Sequence, residues 1–275
     1  MSSVASVRLL QLIRRNVTWW HAPISTSVKL FYYGSMLSSL SRAVAIKKFT
    51  INYLGNTLHY DNLVTPLSLQ VYPYEITRNI LSNAANIKIK KVLDVGGNIG
   101  QFCLTLSYVL QDNVLIDVLE PNPEIYSLLR KNTSRKKNIR TYNVGVGKPT
   151  IKHLFYVPGK SAAGSILKDN ANHGKKRVRK TTIQVTDDIP GLTGLKDYDL
   201  IKIDVEGYEY TLLEEIKPIV TKLMVLEVSG LGRYKNFTHS RLFSLIESKF
   251  GKFDIVHLSH SDARSVNFDI MLRFV

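Results

Sequence analysis

A turn built on three glycines, directly after a short apolar run, constrains this chain more than any other stretch. The segment is Lys91-Val-Leu-Asp-Val-Gly-Gly-Asn-Ile-Gly100. Val92, Leu93 and Val95 make the apolar run that a strand buried on both faces requires. Gly96, Gly97 and Gly100 leave a turn without side chains, where backbone can approach a ligand closely. Phe102, Leu104, Leu106, Val109 and Leu110 then follow a loosely helical apolar pattern. The unit reads as strand, glycine turn, helix, with free backbone N–H groups at the helix start aimed into the turn.

About twenty residues further on, Val114-Leu-Ile-Asp-Val-Leu119 reads as a second strand ending in Glu120-Pro-Asn-Pro. An acid at that spacing, at the edge where open α/β sheets bind ligands, suits the ribose hydroxyls of an adenosine. A dinucleotide site would prefer G-x-G-x-x-G facing a pyrophosphate. Here Asp94 stands two residues before the first glycine, where a carboxylate repels a pyrophosphate and suits an ammonium and a sulfonium. The combination points to S-adenosylmethionine (SAM) rather than NAD or FAD. Asp94, Gly96, Gly97, Asn98, Gly100 and Glu120 are the candidate cofactor-binding residues. The alternative is an ordinary strand-to-helix turn with no ligand.

With 275 residues, 44% of them hydrophobic, the chain can build one large α/β domain plus an extension. Its single cysteine, Cys103, excludes an internal disulfide and reads as a small buried packing residue. The net charge of +15 favours anionic partners (nucleic acid, a lipid surface or a phosphorylated carrier) without choosing among them. No acid precedes Asp61, whereas Arg8, Arg14, Arg15, Lys29, Arg42, Lys47 and Lys48 are basic. We divide the chain into a basic helical extension, residues 1–60, and a domain, residues 61–275. The extension suits a cap over the substrate cleft, a membrane-surface helix or a transit peptide. Leu30 to Leu40 is too short to span a bilayer, and arginines interrupt any signal-peptide run. A cytoplasmic location follows, with peripheral membrane contact through residues 1–48 left open.

Further along, a hairpin is expected around Gly55-Asn56, and a helix over Tyr72–Asn83. Pro123 to Lys131 reads as helical, and Ile139 to Val146 as a third strand with Asn143 facing the adenine. His153–Val157 and Lys180–Val185 suggest a β excursion around a loop carrying Lys175, Lys176 and Arg177. Tyr198–Asp204 is a fourth strand, followed by Val205-Glu206-Gly207-Tyr208-Glu209 and a helix to Ile216. Lys222–Glu227 is a fifth strand. A helix over Arg241–Phe250 and two strands, Phe253–Leu258 and Val266–Phe274, close the sheet as an antiparallel hairpin. No repeats or linkers interrupt the domain.

With these residues placed, the chain resembles the SAM-dependent methyltransferases of the FkbM family. The matching segments are Val92-Leu-Asp-Val-Gly-Gly-Asn-Ile-Gly100, Leu119-Glu-Pro-Asn-Pro123 and Ile203-Asp-Val-Glu-Gly-Tyr-Glu209, with Gln184-Val-Thr-Asp-Asp188 as lesser support. The glycine turn identifies a class I methyltransferase, and Asp-x-Glu-Gly-x-Glu narrows it to the family. The resemblance covers about Ile80 to Val275. It implies a Rossmann-like, seven-stranded, mostly parallel sheet with a reversed last strand. It also implies methyl transfer to a hydroxyl oxygen, often on a sugar or polyketide. Gly97 stands where the family often has Ala, a departure expected to be without consequence. Thr186 stands where it commonly has Leu, which weakens any role for Asp187 or Asp188.

Methyl transfer to a neutral hydroxyl needs in-line approach and removal of the hydroxyl proton. Positioning can supply about 7–11 kcal/mol, and a carboxylate base roughly 10²–10⁴-fold more. Asp204 and Glu206 are the candidate catalytic residues, the alternative being capping or pairing at the next helix. Glu227 reads as a pocket wall or a partner for a basic side chain, with a catalytic role as the alternative. No ligand spacing argues for a metal. The expected acceptor is a carbohydrate or similar polyol. Two further readings remain open: an RNA methyltransferase, for which the charge speaks but no base-flipping motif does, and a SAM-binding membrane-associated protein without catalysis.

Overall fold

The apolar run that opens the glycine turn becomes β3 (Lys91–Val95), the strand on which the domain is assembled. Our computed structural model describes residues 48–54, 56–61, 72–84, 87–149, 153–158, 178–228, 238–260 and 268–275. In chain order the elements are β1 (Lys48–Tyr53), β2 (Asn56–Asp61), α1 (Tyr72–Asn83), β3, α2 (Gln101–Val109), β4 (Leu115–Leu119), α3 (Pro123–Thr133) and β5 (Ile139–Tyr142). Then come β6 (Gly145–Val146), β7 (His153–Pro158), β8 (Val178–Ile183), β9 (Val185–Thr186), α4 (Ile189–Thr193) and β10 (Asp197–Ile203). The last are α5 (Glu209–Glu215), β11 (Val220–Val228), α6 (His239–Phe250), β12 (Phe253–His260) and β13 (Phe268–Phe274).

The main sheet has seven strands in the order β12-β13-β11-β10-β3-β4-β5. β11, β10, β3, β4 and β5 run parallel. β13 is antiparallel to both of its neighbours. The fold is therefore the Rossmann-like α/β architecture with a reversed last strand. Because side chains alternate along a strand, the sheet has two apolar faces. Val92, Leu200, Leu223, Val225 and Met271 pack with Ile76 and Ile80 of α1, Phe102 of α2 and Leu129 of α3. Leu93, Ile201, Ile203, Leu226 and Ile270 pack with Ile189 of α4, Leu212 of α5 and Ile246 of α6.

The β1–β2 hairpin joins the first of these faces. Tyr53 and Leu58 are fully buried there, and the Tyr53 hydroxyl lies 2.7 Å from Thr105 Oγ1. Asn132 on α3 accepts from the His59 amide at 2.7 Å and donates to Ile99 O at 2.9 Å, tying hairpin, glycine turn and helix together. Cys103 is fully buried, as a packing residue would be.

Two expectations need correction. The third strand does not run from Ile139 to Val146: it leaves the main sheet after Tyr142, and Gly145–Val146 pairs with β9 instead. The Asn143 side chain donates to Glu120 O (2.9 Å) and Pro121 O (3.2 Å), which fixes the break at the end of β4. The β7–β8 excursion forms as read, with its two strands antiparallel, but its loop, including Lys175, Lys176 and Arg177, lies outside the described residues. So does the extension, residues 1–47. Among the described residues, no helix is long and apolar enough to cross a membrane.

Gly97 is the second correction. A Cβ there would collide with the Cγ1 methyl of Val118 on β4, so Ala is not neutral in this chain. Overpacking of this kind costs about 1–3 kcal/mol. In chemical denaturation, Gly97→Ala is expected to lose that much, and Val118→Ala in the same protein to return part of it. A double-mutant cycle measures the coupling.

Candidate active site

The ends of three parallel strands are stitched together at the carboxyl edge of the sheet. Gly96 and Gly97 both donate their amides to Leu119 O at 3.0 Å, and the Asp204 amide donates to Val95 O at 3.0 Å. Gly96 has φ +86°, and a Cβ there would run into the backbone oxygen of Asp204. Glycine is therefore required so that β3 and β10 can close on each other, before any ligand is considered. The amides of Asn98, Ile99 and Gly100 are also engaged, by Glu120 Oε2 (3.0 Å), Asn98 Oδ1 (2.8 Å) and Gly97 O (2.9 Å). The turn's N–H groups thus hold the protein together rather than standing free, contrary to the sequence expectation.

Glu120 is the anchor of this arrangement. Its other oxygen accepts from the Asn122 amide at 2.9 Å, so one side chain braces both the glycine turn and the start of α3. It is only 6% exposed. Burial pushes its carboxyl up to about 7, against the lowering effect of the two amides.

Over these strand ends lies a cleft enclosing about 680 Å3 of empty space, part of it open to solvent. Gly96, Asn98, Glu120, Asp204 and Glu206 line it, with apolar walls from Val95, Leu119, Val144, Val146 and Leu212. Five of the sequence candidates thus share one cleft. Asp94, Gly97, Gly100 and Asn143 lie outside its lining: Asp94 beneath the turn, Gly97 against β4, Gly100 at the start of α2, and Asn143 committed to the β4 turn.

The sequence reading missed Lys202, which is 3% exposed near the carboxyl end of β10. Its Nζ lies 3.3 Å from Asp94 Oδ1 and 3.2 Å from Asp204 Oδ2. Burial alone would lower its pKa, but the two carboxylates outweigh it and hold the ammonium charged. Burial pushes Asp94 up, and Lys202 only partly offsets it. Its Oδ2 is buried without a hydrogen-bond partner. Asp204 is held below the usual carboxylate range: burial works against this, but Lys202 and a hydrogen bond from Glu227 prevail. The sequence signal for Lys202 was a lone lysine between Ile201 and Ile203, in the apolar second half of the strand.

The loop after β10 is held from below. Glu209 Oε1 accepts from the amides of Val205 (3.2 Å) and Gly207 (2.9 Å), and Glu206 sits in the left-handed region at φ 53°. A non-glycine residue held there stores about 1–3 kcal/mol, a cost typical of functional turns. In the second acidic motif, by contrast, Asp188 caps α4 by accepting from the Gly191 amide at 3.1 Å. Asp187 pairs with Lys217 at 3.5 Å. Both therefore do structural work. Among the described residues, no group of three or more His, Cys, Asp or Glu is arranged to hold a metal ion.

The donor set fits a cationic adenosine cofactor. Among the described residues, those lining the cleft include three carboxylates and no Lys, Arg or His, a set that suits a sulfonium and an ammonium better than a pyrophosphate. Glu120 lines the cleft at the end of β4, and apolar walls are available to a flat base. The orphan Asp94 Oδ2 adds negative charge beneath the turn. Fold and cleft together are those of the SAM-binding domain of the class I methyltransferases, with S-adenosylmethionine as its cofactor.

Comparison with known proteins narrows the class. The chain matches the methyltransferase FkbM domain over residues 94–253, more than half its length, and it belongs to that family. It is similar to Methyltransferase 1 of Beauveria bassiana (strain ARSEF 2860), 27% identical over 141 residues. That match covers 44% of this chain and 56% of the relative, so the chain spans little more than half of that protein. Solved structures with a similar fold include the precorrin-6y C5,15-methyltransferase of Geobacter metallireducens GS-15. It has TM-score 0.40 and 14% identity, over 72% of this chain and 87% of that one. The N-terminal domain of EvdMO1 with SAH bound has TM-score 0.43 and 13% identity, over 74% and 81%.

The buried Glu120 makes a pH-dependent contribution. Above about pH 4.5 the unfolded chain ionises this carboxyl, whereas the folded protein keeps the proton until about pH 7. Stability from that proton is therefore present at low pH and lost as pH rises through this window, by up to about 3 kcal/mol. In the cofactor-free protein, Glu120→Gln should gain on the wild type by up to that amount between about pH 4.5 and pH 7. Thermal unfolding of both proteins across that range measures it.

Proposed function

We propose that the protein is an O-methyltransferase that moves the methyl group of SAM to a hydroxyl of a carbohydrate or similar polyol. The observation that carries this reading is the acidic lining of the cleft, where the described residues include Glu120, Asp204 and Glu206 and no Lys, Arg or His. SAM supplies an electrophilic methyl on a sulfonium. The chain's own residues must hold the acceptor oxygen in line and receive its proton. Asp204, 23% exposed and still open to the cleft, is the residue for that proton, and Glu206 is a second hydrogen-bond acceptor for a neighbouring hydroxyl. Carboxylates exposed to the cleft, with their one neighbouring cation, Lys202, buried behind Asp204, suit neutral, hydroxyl-rich acceptors. They repel a phosphodiester, so nucleic acid is the poorer fit despite the chain's charge of +15. Contact of residues 1–48 with an anionic membrane surface remains a separate proposal from their composition.

Calorimetry with SAM and S-adenosylhomocysteine tests the cofactor half. Wild type should bind, Glu120→Ala should lose binding at least tenfold, and Asp204→Ala should bind within about threefold of wild type. Transfer of labelled methyl from SAM into glycan or free-sugar fractions, with none into RNA, tests the acceptor half. Asp204→Ala should lower it by about 10²–10⁴-fold. A folded wild type that binds neither ligand would refute the reading.

A further inference from the structure

A row of charge runs along one face of the sheet at its carboxyl edge. Lys202 is in register with Asp94 on one side. Ile203 is in register with Leu226, so the next residues along, Asp204 and Glu227, stand side by side on the same face. Glu227 is in turn opposite Asp269 of β13, which is 9% exposed. The row therefore reads Asp94, Lys202, Asp204, Glu227, Asp269, with a single cation among four acids.

Side by side at the end of the β10–β11 register, the Asp204 and Glu227 carboxyls are placed to share a hydrogen bond, and each shifts the other's proton affinity. An ionised carboxylate has no proton to donate, so a bond between two carboxyl groups requires one proton between them. Lys202 decides where it sits. Its ammonium touches Asp204 Oδ2 and Asp94 Oδ1, which favours the ionised form of Asp204 and leaves the proton on Glu227. The other groups facing Glu227 act in the same sense. The charge of Asp204 comes first, then burial and the hydrogen bond itself, then Glu206 and Asp269, and all of them push the Glu227 carboxyl well up. From α6, His239 packs against Phe268, whose neighbour Asp269 points to the opposite face.

We propose that Asp204 and Glu227 work as one carboxyl pair holding a single proton, with Glu227 as the positioning residue that governs when Asp204 can accept the proton of the acceptor hydroxyl. This rests on the methyl-transfer reading of the site. With the proton in place, Asp204 is occupied on one side by Glu227 and on the other by Lys202, and is a weak base. Loss of that proton to solvent leaves two carboxylates beside one lysine. The pair then takes the hydroxyl proton as the O–CH3 bond forms and the S–CH3 bond breaks. The sulfur keeps the bonding electron pair as a neutral thioether, and the pair regains its one-proton state.

Infrared pH titration of the cofactor-free protein reads the carboxyl proton directly. It is recorded in a Glu120→Gln background so that the group titrating near pH 7 is removed. Beside the raised Asp94 carboxyl, a second carboxyl band titrating well above the ordinary range is expected in that protein and absent after Glu227→Gln. Asp204→Asn, which removes the neighbouring charge, should move the band down toward ordinary carboxylate values. The near-isosteric Gln and Asn variants are checked for folding by circular dichroism. The buried Asp94, whose carboxyl is also raised, is common to the proteins with and without Glu227→Gln and cancels in the difference between them; a difference with no high-titrating band overturns the pair. Wild-type SAM binding separates the two readings. Protein that binds SAM but lacks the band refutes the pair alone, whereas protein that binds no SAM refutes the methyl-transfer reading and the pair's role with it.

Discussion

The ammonium of Lys202 is the interaction on which the edge of this sheet depends. Taking a charge out of water costs several kcal/mol, and a buried carboxylate without a partner would protonate instead. Lys202 sits between Asp94 and Asp204 and faces the ring of Phe102, 5.5 Å from its centroid. It converts two acids that could not both remain ionised into a compensated triad. Only then can Asp204 keep its charge where the cleft needs it. The same lysine ends the apolar stack of Val92, Leu200 and Val225 on that face and begins the polar edge. It marks the boundary between core and site.

That boundary explains what could be read from the chain and what could not. β3, the glycine turn and α2 were legible because their signals are local: an apolar run, residues without side chains, and a helical period. The same holds for α1 and for the hairpin around Tyr53, whose bounds the residue pattern anticipated closely. Glu120 was legible because the distance from turn to acid is built into the strand-turn-helix-strand unit. Lys202 was not, because its meaning lies in the register between β10 and β3, which no periodicity within either strand reports. The break after Tyr142 was hidden for a related reason. The residues through Val146 keep strand-like composition, and only the Asn143 amide, reaching back to Glu120 O, ends the pairing. Gly97 shows the same limit at one atom: whether alanine fits depends on a methyl of Val118 in another strand.

The acids of the Asp-x-Glu-Gly-x-Glu segment divide their labour. Glu209 is 2% exposed and faces inward to hold the loop amides, Glu206 is forced into a left-handed conformation that delivers it to the cleft, and Asp204 takes its state from the strands on either side. One short segment thus supplies both the chemistry and the scaffold for it. The motif is more specific than any of its acids alone.

The position of β13 has a consequence for how the chain reaches this state. β13 sits between β12 and β11, although α6 and β12 separate it from β11 in the chain. Until β13 inserts, β11 presents an unpaired edge carrying Leu223, Met224, Val225 and Leu226, all buried in the finished sheet. Late, long-range pairing of this kind slows folding, and an open apolar edge is a template for association with other chains. Aggregation during refolding is therefore the characteristic hazard of this topology, and the β12–β13 hairpin is its intramolecular safeguard.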